Sequence, residues 1–103
     1  MLATLYLPQQ PPQVVPNDML NMPSLATGPA VVPEQVPVLL GCTPRLVDIL
    51  ASGPGYVIYS VFDYEGPINS AAMVTVATVT GVVFDAGDED MVLRGPVLVV
   101  EAN

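Results

Sequence analysis

The stretch YVIYSVFDY, from Tyr56 to Tyr64, places an aromatic or branched side chain at almost every position. As a strand it sets Tyr56, Ile58, Ser60, Phe62 and Tyr64 on one face and Val57, Tyr59, Val61 and Asp63 on the other. Both faces are largely apolar, so the pattern predicts a strand covered on both sides. AMVTVATVTGVVF (Ala72 to Phe84) is dominated by β-branched valine and threonine and predicts a long strand with a bulge or bend at Gly81. MVLRGPVLVVEA (Met91 to Ala102) predicts another, interrupted at Gly95–Pro96, where proline cannot donate to a ladder. VPVLL (Val36 to Leu40) reads as an earlier strand. TPRLVDILASG (Thr43 to Gly53) fits a short helix capped by Thr43 with Pro44 at its first position, or a short strand; the helix or turn is favoured. GPG (Gly53 to Gly55), EGPINS (Glu65 to Ser70) and DAGDED (Asp85 to Asp90) are turns or loops. Strands separated by turn signals, without long helices between them, predict an all-β fold: a small antiparallel β-sandwich or barrel.

The first forty residues follow another pattern. Eight of the 12 prolines lie there, at 8, 11, 12, 16, 23, 29, 33 and 37. Each removes a helix donor and pushes the preceding residue toward extended backbone, so no helix of ordinary length is expected. A flexible linker is rich in glycine, serine or charge. This segment instead carries Leu5, Tyr6, Leu7, Val14, Val15, Met19, Leu20, Val31 and Val32, with only Asp18 and Glu34 charged. Fully extended, it would reach on the order of 120 Å. The chain therefore divides into an extended Pro-rich arm (1–35) and a compact β domain (36–103).

Composition sharpens this picture. The chain has 103 residues, of which 51% are hydrophobic and 12% charged. A domain of roughly 60 residues buries only about 60% of its unfolded surface and is marginal alone. The lone Cys42 rules out a disulfide within the chain. With one cysteine and no histidine, a tight zinc site is not expected either. Association with other chains is the remaining route to stability. The net charge is −8, and Arg45 and Arg94 are the only cationic side chains. That argues against binding phosphate backbones or anionic membranes, which require clustered lysine and arginine.

The uncharged run from Gly66 to Phe84 approaches the length of a membrane span, but its valine and threonine content and lack of basic anchors favour a strand. MLATLYLPQQPP at the start lacks the basic region and full apolar core of a secretory signal.

Catalytic chemistry has little to work with. Histidine and lysine are absent, and no G-x-S-x-G elbow or phosphate loop occurs. Asp63 and Glu65 would share a strand face if the strand ran that far, an arrangement open to a carboxylate acid/base pair and more simply read as a solvated strand end. Asp85, Asp88, Glu89 and Asp90 crowd one turn without the spacing of an EF-hand; a solvated hairpin is favoured over a weak divalent site. No cofactor is expected. Pro8-x-x-Pro11 lacks the basic neighbour of an SH3 ligand.

The arm LPQQPPQVVPNDMLNMPSLATGPAVVP, the small β domain after it and the lack of catalytic residues together resemble the capsid decoration, or cement, proteins of tailed phages. That resemblance lies in organisation alone. It implies a virion protein on the outer capsid surface, a homo-oligomer (a trimer in the first instance) that clamps neighbouring major capsid subunits. The arm anchors expected on this reading are Tyr6, Leu7, Val14, Val15, Met19, Leu20, Val31 and Val32. Two other classes remain: a binding module with a groove lined by Tyr56, Tyr59 and Tyr64, and, more remotely, a hydrolase using Asp63 and Glu65.

Overall fold

A computed structural model describes residues 2–20, 32–82 and 92–102. At the centre of the fold is β5, Val97–Glu101. Val97 and Val99 point to one side of this strand and Leu98 and Val100 to the other, and all four are buried. Antiparallel neighbours flank it: β1 (Leu2–Tyr6) on one side and β4 (Tyr56–Val61) on the other. β2 (Gln13–Val15) and β3 (Val47–Gly53) form the edges, giving the order β2-β1-β5-β4-β3.

Two helices, not a second sheet, cover the faces. α1 (Gln35–Leu40) lies with Leu20 over a core of Ala3, Leu5, Val57, Tyr59, Leu98 and Val100. α2 (Ser70–Thr80) covers the opposite face, where Ala72 and Val76 meet Ile58, Val97 and Val99. Among the described residues the fold is thus mixed α/β: one open, five-stranded antiparallel sheet with two helices. The expected all-β sandwich or barrel is overturned, because two segments with strand-like composition are helical.

The reasons are local. In α1, Val36 and Leu40 are buried while Val38 between them is 80% exposed, a helical spacing and not a strand alternation. Pro37 falls in the first turn, where backbone N–H groups have no intrahelical partner. Gly41, at φ 72°, closes the helix. In α2, the side-chain oxygen of Asn69 accepts from the Ala72 N–H at 3.2 Å and caps the first turn, and Gly81 caps the last. The threonines find partners without leaving the helix: Thr78 and Thr80 donate to the carbonyls of Val74 and Val76. Among the described residues no helix is long and apolar enough to cross a membrane.

The Pro-rich segment also departs from a single extended arm. Leu2 to Tyr6 precede the first proline and pair with β5 along their whole length, from Leu2 opposite Glu101 to Tyr6 opposite Val97. Pro8, Pro11 and Pro12 occupy the connection to β2, and Pro16 follows it. These four prolines therefore bracket β2.

Elsewhere the two-residue alternation holds. β4 sends Val57 and Tyr59 to the α1 side and Ile58 to the α2 side. It ends at Val61, before Asp63 takes a left-handed φ of 54°. Pro54–Gly55 turns β3 into β4. Thr43 to Gly53 divides between both descriptions: a 3-10 turn at Pro44–Leu46, then β3.

Candidate functional site

The residues expected to anchor an arm are split between the interior and the surface. Val15 and Leu20 are buried in the α1-side core, with Leu7 packed against it. Tyr6 packs against the α2-side core, and its hydroxyl accepts from Thr75 at 2.9 Å. Val14, Met19 and Val32 are exposed. Val31 lies outside the described residues, as do Asp85, Asp88, Glu89 and Asp90.

The three tyrosines considered for a groove do not share one. Tyr59 is fully buried on the α1 side, Tyr56 packs on the α2 side, and Tyr64 is exposed on the loop after β4. Burial pushes the Tyr59 hydroxyl up to about 12. Burial also raises the Cys42 thiol above its ordinary value, which disfavours the reactive thiolate.

A groove of about 800 Å³ does form, beside the C-terminal end of β4. Sheet register builds its floor. Asp48 lies opposite Ser60 across β3 and β4, and both line the groove with Leu50 and Leu93. The loop from Phe62 to Asn69 forms a wall, bringing Asp63, Tyr64 and Glu65 to the rim. Backbone hydrogen bonds attach that loop to the approach to β5. The Gly95 N–H donates to the Pro67 carbonyl at 3.1 Å, and the Asn69 N–H to the Leu93 carbonyl at 2.8 Å. Arg94 completes the lining, its Nη1 donating to the Gly66 carbonyl at 3.1 Å.

Asp63 and Glu65 thus reach the same groove without sharing a strand face, because β4 has already ended. Sequence reasoning does not join Asp48, Ser60 and Arg94 to that pair. Their meeting depends on strand register and on the return of the chain toward β5, and neither leaves a local sequence signal. Among the described residues, no group of three or more Asp, Glu, His and Cys is placed to hold a metal ion.

No family model, curated protein or solved structure matches the chain, so its functional reading rests on its own residues.

Proposed function

We propose that this chain is a structural, non-enzymatic component of a larger protein assembly, acting through contact with further copies of itself and with neighbouring subunits. The observation that carries this reading is the absence of charge from both helical layers. Neither Gln35–Leu40 nor Ser70–Thr80 contains a charged residue. On their outward sides Val38 is 80% and Val74 68% exposed. Surface helices ordinarily set charged side chains opposite the core, whereas α2 exposes the uncharged Ser70, Ala71, Val74 and Thr78, and α1 exposes Val38. Exposed apolar patches on an outer layer favour association. A decoration role on a capsid is the particular form proposed; its support is the Pro-rich first forty residues and the lack of catalytic motifs in the sequence, and the helix faces support only the broader assembly role.

Light scattering on the purified chain across a wide concentration range tests self-association. A discrete oligomer is expected, a trimer on the capsid reading, with Val38→Glu or Val74→Glu shifting it toward monomer while the circular dichroism stays unchanged. A soluble monomer at every concentration, unaffected by either substitution, would overturn the self-association.

A further inference from the structure

We propose that the groove beside β4 is a recognition site for a guanidinium or ammonium side chain carried by an extended segment of a partner protein. The groove is separate from the outward helix faces, and the inference does not depend on them.

Its chemistry is one-sided. Asp48, Asp63 and Glu65 contribute three carboxylates, whereas Arg94 is the only cationic side chain in the lining. Arg94 already donates to the Gly66 carbonyl. None of the carboxylates is ion-paired among the described residues. Below them, Ser60 is only 7% exposed, lines the groove and has no hydrogen-bond partner for its hydroxyl among the described residues. Its hydroxyl opens into the groove, where an incoming N–H donor would take the place of water. Tyr64 adds an aromatic wall, held where its ring covers Gly66 and Gly95. Carboxylates at the rim, an acceptor at the floor and an aromatic face alongside suit an organic cation with several N–H donors. The volume lies within the roughly 300–1,000 Å³ of small-ligand sites. The net charge of −8 would steer a basic segment toward the surface.

The test uses the full chain, isotopically labelled, in an NMR titration with the peptide acetyl-Gly-Arg-Gly-Arg-Gly-amide. Its controls are the same peptide with citrulline for arginine, free spermidine and Mg²⁺. The arginine peptide is expected to give saturable shifts concentrated at residues 60–66 and 93–95 and to bind more weakly as salt rises. Citrulline, which keeps the shape without the charge, should bind at least about tenfold more weakly, as expected for losing one charge-assisted contact. Asp63→Asn with Glu65→Gln should weaken binding by a similar factor at unchanged melting temperature. Ser60→Ala should weaken it several-fold. The proposal is overturned by equal response to both peptides, by shifts spread alike over Asp18, Glu34 and Glu101, or by no saturation at millimolar peptide. Spermidine bound more tightly than the peptide would assign the groove to free polyamines and overturn the partner segment. Mg²⁺ saturating the same residues would make it a metal site and overturn the organic cation.

Discussion

The side-chain amide of Asn69 donates to the carbonyl of Tyr6 at 2.9 Å, joining the start of α2 to the end of β1. The same nitrogen donates to the Gly95 carbonyl at 2.7 Å, and its oxygen caps α2 through Ala72. One buried side chain thereby connects three parts of the chain that are far apart in sequence. It also fixes the approach to β5, which forms one wall of the groove.

Asn69→Ala should therefore destabilise the fold strongly. Loss of a helix cap costs ~1 kcal/mol, and each carbonyl left without its donor adds about 1–3 kcal/mol. A total of about 3 kcal/mol or more would be a large share of the roughly 5–15 kcal/mol that holds a domain together. Asn69→Ser keeps a capping oxygen and should recover about 1 kcal/mol of that loss. Asn69→Asp keeps the cap but turns an oxygen toward the Tyr6 and Gly95 carbonyls, and should be no better than alanine at neutral pH. Urea unfolding of the three variants checks the order.

Tyr59 predicts an alkaline limit to stability. Its ordinary value of 10.0 is raised to about 12 by burial, so the folded state favours the neutral phenol. A group raised on folding contributes fully below its unfolded value and loses that contribution as pH rises through the folded one. The loss should fall between pH 10.0 and about 12. Its size is on the order of 3 kcal/mol. Stability measured by denaturant at stepped pH should decline over that window, and Tyr59→Phe should flatten the decline.

The sequence made β4 legible because its alternation is local: residues two apart share a face whatever the rest of the chain does. The Pro54–Gly55 turn and the interruption at Gly95–Pro96 were legible for the same reason. α2 was not. Its valines and threonines favour a strand, and propensity of that kind yields to tertiary context. Asn69 and Gly81, on either side of the helix, were the available signals, with Ala72 and Val76 at helical spacing between them. β1 was hidden for another reason. Its partner β5 lies at the other end of the chain, and nothing within LATLY announces a distant ladder. Of the groove, Asp63 and Glu65 could be seen as a pair, but register alone brings Asp48 opposite Ser60.

Gly95 is predicted to resist substitution. Its φ of 75° lies where a Cβ is strained, and an added Cβ would meet the Tyr64 ring. Gly95→Ala should cost about 1–3 kcal/mol. Removing the ring in Gly95→Ala/Tyr64→Ala should relieve the steric part and leave the backbone part. If the double variant is no more stable than expected from adding the single effects, the ring contact is not what constrains this glycine.

The helical assignment of α2 makes a prediction that a strand would contradict. In a strand, Val74 and Val76 would point to the same face and their truncation would cost similar amounts. In α2 they diverge: Val76 is 2% exposed in the core and Val74 is 68% exposed outside it. Val76→Ala should destabilise by about 2 kcal/mol through lost burial and an added cavity. Val74→Ala should be neutral or slightly stabilising in the monomer, because alanine is the better helix former and no core contact is lost. Thermal unfolding at low protein concentration keeps any contact between copies out of the comparison. Equal losses at both positions would restore the strand and with it a different sheet.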